Sequence, residues 1–200
     1  MILASARSAH VVSVLVLSVV GFSHDDAHVQ RTHFQAGRSA NEDSLVILPG
    51  RLGPIDACDA LSKVNGAFPG RTIRDTVYRE AGSHWPAKVV LLNDGVLVFS
   101  SSWTDTARVW NMNTTSPSVR TRRGFHVGMR LGDIMALDSL EVELPEGTVV
   151  VSLKREGVGV LIDQSGQKRF YETFNFKGTP SAAMLPASAV ITELVTGGGC

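Results

Sequence analysis

Lys88-Val89-Val90-Leu91-Leu92-Asn93-Asp94-Gly95-Val96-Leu97-Val98-Phe99-Ser100 is the stretch on which the fold turns. Its two arms, Lys88 to Leu92 and Val96 to Ser100, are rich in β-branched and apolar residues. Between them Asn93-Asp94-Gly95 supplies residues that tolerate the backbone angles of a tight turn. The stretch predicts an antiparallel hairpin. Working outward, Thr72 to Tyr78 reads as a strand before it and Ala107 to Asn111 as a strand after it, followed by the turn-rich run 113–118. Upstream, Ala60, Leu61, Val64 and Phe68 recur at helical spacing, so a helix is expected from Asp56 to Asn65, stopped by Phe68-Pro69-Gly70. Leu45 to Leu48 is a short strand ended by Pro49-Gly50.

The second half repeats this order. A short helix is expected from Leu131 to Leu137, then strands at Leu140 to Leu144 and Thr148 to Leu153. Gly159 to Asp163 and Arg169 to Phe176 read as a further hairpin across Gln164-Ser165-Gly166-Gln167, and Ala189 to Val195 as the last strand. The same 73-residue offset separates Leu61 from Ile134 and Val64 from Leu137. The expected fold class is therefore α+β: two tandem modules, 44–118 and 119–200, each with a short helical part packed on an antiparallel β-sheet.

One segment carries a resemblance. Gly124-x-x-Val127-Gly128-Met129-Arg130-Leu131-x-Asp133-Ile134-x-x-Leu137 is similar to the Gly-Met-Thr turn-and-helix motif of the BamE (SmpA/OmlA) outer-membrane assembly family, with Arg130 where threonine is usual. The β-lactamase-inhibitor proteins repeat a related module twice. The resemblance implies a two-layer fold, an envelope location and a tendency to bind proteins; it implies no catalytic residue.

Compartment is read from the other end. Arg7 and His10 precede an uncharged apolar run, Val11 to Phe22, too short for a stable membrane span but suited to the core of a signal peptide. Small residues at Gly21 and Ser23 place cleavage after Ser23, with cleavage after Gly21 as the alternative. Residues 1–23 are thus expected to be a signal peptide and 24–43 a flexible polar linker. An extracytoplasmic protein, periplasmic or secreted, is the expectation. Two cysteines, Cys58 and Cys200, can form one disulfide there, or Cys58 can be a buried thiol.

Basic and acidic residues number 19 each, so the phosphate-driven affinity of nucleic-acid binders is not expected. Phosphate loops, dinucleotide fingerprints, Cys-x-x-Cys pairs and the Gly-x-Ser-x-Gly elbow are missing from the sequence, and no cofactor is expected. Three weaker clusters remain. His24, His28 and His33 are metal-ligand types near the cleavage site, and an N-terminal His24 could chelate copper with its own amine. Arg120, Arg122 and Arg123 form a basic knot that could meet an acidic partner. Trp103 and Trp110, with Trp85 and the aromatics of 170–176, could line a sheet face that grips a protein. His84 or His126 with a serine or aspartate would make a small hydrolase. The reading that fits most of these residues is an exported, non-catalytic protein that binds another protein, with hydrolase and N-terminal metal binder as alternatives.

Overall fold

The computed structural model describes residues 45–80, 82–176 and 178–197. The expected signal peptide, linker and histidine cluster fall outside them. Strands β1 (Val46–Leu48), β2 (Arg51–Leu52) and β3 (Ile55–Asp56) come first, then a 3-10 turn at Leu61–Lys63 and a single helical turn, α1 (Val64–Ala67). Four longer strands follow: β4 (Ile73–Glu80), β5 (Ser83–Leu91), β6 (Val96–Ser100) and β7 (Asn111–Thr114). After β8 (Arg120–Thr121) and α2 (Leu131–Met135) come β9 (Leu140–Glu143), β10 (Val150–Leu153), β11 (Val158–Ile162), α3 (Gln164–Phe174) and β12 (Ile191–Gly197).

The strands assemble into two sheets. A small one has the order β3-β2-β1-β8, and a large antiparallel one the order β4-β5-β6-β7-β12-β11-β10-β9. This overturns the expectation of two helix-on-sheet modules. β7 pairs directly with β12 in the register Leu194 opposite Thr114, so the strands of both halves make one continuous sheet over one core. The chain is mostly β, with three short helices among the described residues. Sequence order repeated because each half contributes four neighbouring strands; it did not reveal that the two sets share an edge.

Side-chain alternation fixes the inner face. One register row crosses all eight strands: Ile73, Val90, Leu97, Thr114, Leu194, Val160, Val151 and Val142. All but Ile73 are buried. A parallel row holds Lys88, Phe99 and Met112; the Lys88 stem lies in the row while its ammonium leaves at the edge to pair with Asp75. The small sheet packs onto this face, tied by the Gly50 amide donating to Thr196 Oγ1 at 2.8 Å.

The sequence hairpin forms where expected, and its turn is fastened from outside. Asp94 accepts from Ser116 Oγ at 2.5 Å and from the Ser118 amide at 3.1 Å. Gly95 passes so close to the Ser116 backbone that a Cβ would lie 2.7 Å from it, which only glycine allows.

Three elements differ from expectation. The strand expected at Ala107 to Asn111 lies later, as β7 over Asn111–Thr114, and takes in the start of the run read as turns. The helix expected over 56–65 shrinks to two single turns. Cys58 takes φ 70°, and its amide donates to the Val109 carbonyl at 2.8 Å instead of entering a helix. The strand expected at 169–176 is α3: Gly166, Phe170 and Phe174 recur every fourth residue and all three are buried. Asp163 holds its start, accepting from the Val190 amide at 2.7 Å. Burial pushes the Asp163 carboxyl up, but hydrogen bonds from the Ser165 hydroxyl and the Val190 and Gly166 amides outweigh it and hold it below the usual range. α3 therefore covers the inner face of β11, and its aromatics belong to the core.

A tryptophan cleft as the candidate functional site

The β4–β5 hairpin outruns β6. Glu80 stands opposite Ser83, which sets Tyr78 opposite Trp85 on the outer face of the hairpin extension. Their rings lie 5.8 Å apart, centroid to centroid, tilted by 34°. Pro86, having no N–H, ends the ladder toward β6. The Ser101 amide and hydroxyl both donate to the Pro86 carbonyl, at 3.0 and 2.8 Å, and the chain turns away from the sheet.

The connection 101–110 is compact. Ser102 Oγ accepts from the Asp105 amide at 3.1 Å and shares a hydrogen bond with Thr104 Oγ1 at 2.9 Å. The Asp105 carboxylate accepts from the Ala107 amide at 2.9 Å. This loop carries Trp103 outward, 80% exposed, and returns through Trp110, 42% exposed. Ser100, Asn111 and Gly197 stand side by side in the register as the floor.

These walls and floor enclose a cleft of about 540 Å3, the size of a small-ligand or short-peptide site. The chain has three tryptophans, and all three line it. Every lining side chain is uncharged. The sequence pointed to Trp85, Trp103 and Trp110 but grouped them with residues 170–176, of which α3 carries Phe170 and Phe174 into the core on the other face. It missed Tyr78 and Asn111; the signal for Tyr78 was the hairpin register that sets it across from Trp85.

The other candidates go elsewhere. Arg123 donates to the Leu137 carbonyl at 2.7 Å and lies 3.5 Å from Asp138 and 3.8 Å from Glu156, two buried carboxylates. Its guanidinium also caps the Phe125 ring, 5.5 Å from the centroid. Arg123 thus ties the β8–α2 region to the β10–β11 turn, whereas Arg120 and Arg122 are exposed. His126 Nδ1 lies 2.7 Å from the Val127 carbonyl, and His84 is exposed opposite Arg79. The hydroxyls of Ser100, Ser101 and Ser102 bond to Asn111, Pro86 and Thr104, and to no described histidine. Among the described residues no three of His, Cys, Asp and Glu are grouped to hold a metal ion, and no helix is long and apolar enough to cross a membrane.

Among the described residues, Glu193 is the titratable group most perturbed by its surroundings. It stands opposite Leu161 in the sheet, and burial pushes its carboxyl up to about 7. Surface area leaves it only half-buried, so water reaches its rim and moderates that shift. The folded chain holds this proton more tightly than the unfolded chain. Its stabilising effect is full below the unfolded value of 4.5 and is lost as pH rises through about 7. We expect wild-type stability to fall by up to about 3 kcal/mol across that window, and Glu193→Gln to flatten the fall. Urea melts at pH 4.5, 6 and 8 check this; identical slopes for the two proteins would refute it.

No protein-family model matches the chain, and no curated protein matches it. Among solved structures it resembles the uncharacterized protein yfeY from Escherichia coli, with a TM-score of 0.51 and 14% sequence identity over 78% of this chain and 98% of that one. At that identity the likeness is one of fold.

Proposed function

We propose that the chain is an exported, non-catalytic binding protein that holds a partner protein in the tryptophan cleft. The observation that carries this reading is the convergence of all three indoles on one uncharged cleft, with Trp103 left 80% exposed. Leaving an indole in water forgoes the favourable burial that a core position would give it. Tryptophans are also the side chains that contribute most at protein interfaces. The hydrogen bonding of Ser102, Thr104, Asp105 and Ala107 orders the loop that carries Trp103 before binding, which lowers the ordering cost of association. Export is supported by the apolar run Val11 to Phe22 and by Cys58, which is not a free thiol.

The test is a crosslinked capture from the host's envelope and medium, run in parallel with wild type and with Trp103→Ala/Trp110→Ala. Loss of two exposed anchors is expected to lower recovery of the specific partner at least about tenfold, the equivalent of roughly 1.4 kcal/mol. Equal recovery with both proteins would remove the cleft from the binding surface.

A further inference from the structure

We infer that β4 is a self-association edge, which pairs antiparallel with β4 of a second copy of the chain in one register, Val77 opposite Val77. This pairing is independent of what the cleft holds. Among the described residues β4 ends the large sheet, with β5 as its one neighbour. It runs over Ile73–Glu80 in unbroken register, with no bulge and no proline. Folded proteins ordinarily protect such an edge, because its outward N–H and C=O groups are a template for another strand. The opposite edge of the sheet shows that protection. There β9 is half as long, carries charge of one sign at Glu141 and Glu143, and is followed by Pro145.

Which groups of β4 face outward follows from its ladder with β5. The Leu91 amide donates to the Thr72 carbonyl at 2.9 Å, so these two opposite residues form a hydrogen-bonded pair. Alternation then turns the backbone of Arg74, Thr76 and Tyr78 toward β5, and that of Asp75, Val77 and Arg79 outward. Val77 stands opposite Pro86, which has no N–H to give it, in keeping with that assignment. An antiparallel second copy must therefore match odd-numbered residues with odd-numbered ones. Charge selects among those registers. With Val77 opposite Val77, Asp75 faces Arg79 and Arg74 faces Glu80, and the two-fold axis repeats each pair. Centring the pairing on Asp75 or on Arg79 sets like charges face to face, and the registers between leave Asp75 and Arg79 opposite apolar residues. Opposite charges directly across antiparallel strands are favourable and like charges are not. Asp75 pairs with Lys88 across the hairpin yet is 85% exposed, and Val77 is 46% exposed, so both are accessible to a second copy. Residues opposite one another share a face, so the joined sheet carries both tryptophan clefts on one side, with Tyr78 opposite Thr76 of the second copy.

The experiment is sedimentation velocity over a wide range of concentration, on the oxidised chain as its host exports it. Pairing in this register predicts a reversible monomer–dimer equilibrium that Arg79→Glu weakens at least about tenfold and Arg79→Lys leaves close to wild type. Arg79 is exposed, so both variants keep the fold, and unchanged melting curves verify that. The register itself is read by crosslinking. Val77→Cys, left to oxidise, should give a disulfide-linked dimer, because Cα atoms across a hydrogen-bonded pair lie about 5.5 Å apart, within disulfide reach. Thr72→Cys is equally exposed at the start of the same edge, but its two copies stand roughly 30 Å apart in that register and should not crosslink. A monomer at every concentration, a dimer that Arg79→Glu leaves unchanged, or equal crosslinking from positions 77 and 72 would overturn the pairing. None of these results touches the assignment of the cleft.

Discussion

Phe99→Ala is expected to cost the fold about 3–5 kcal/mol. Phe99 is fully buried, sits between Met112 and Lys88 in the inner row, and packs against Phe68 with ring centroids 5.6 Å apart. Both flanking strands are held by their own ladders, so the walls cannot close over the space the ring leaves. A urea melt should show a lower midpoint at an unchanged slope. The result bears on the cleft as well. Alternation makes Phe99 inward only if Ser100 is outward, on the cleft floor. A loss below about 1 kcal/mol would mean the strand is turned the other way, and the cleft would lose its floor.

Cys58→Ser is expected to cost roughly 4–5 kcal/mol through loss of a disulfide to Cys200, which closes a loop of about 140 residues. The Cys58 amide is bonded to the Val109 carbonyl, and β12 ends at Gly197 opposite Asn111, two residues along from Val109. For a chain of this size the loss lowers the melting temperature by roughly 10–20 °C. Thiol titration of the unreduced, denatured chain should find no free thiol. Two titratable thiols, or a melt unchanged by Cys58→Ser, would refute the bond and weaken the case for export.

What the sequence made legible was local. Val96 to Ser100 is a strand with the bounds expected, because β-branched arms around Asn-Asp-Gly need no distant information. Helix α2 starts at Leu131 as expected, and the glycines beside it meet different demands. Gly128 meets nothing where a Cβ would stand and is there for its φ of 93°, whereas Gly132 lies so close to Ala187 that a Cβ would be 2.9 Å from its carbonyl oxygen. Spacing cannot separate those two demands. Residues 164–174 were misread because Gln-Ser-Gly-Gln looks like a turn when the Phe170–Phe174 interval is overlooked. The β7–β12 pairing and the meeting of the three tryptophans were beyond reach, since both depend on contacts between residues far apart in the chain. Trp85 arrives by hairpin register, and Trp103 and Trp110 by a loop that starts where Pro86 ends the ladder.

The most direct test of the cleft as the binding surface is site-specific photocrosslinking in the native host. A benzophenone amino acid replaces Trp103 in one strain and Glu172 in another; Glu172 is exposed on the helix that covers the opposite face of the sheet. The account predicts a discrete protein adduct from position 103 and none from position 172. No adduct from position 103, or the same adduct from both positions, would contradict it.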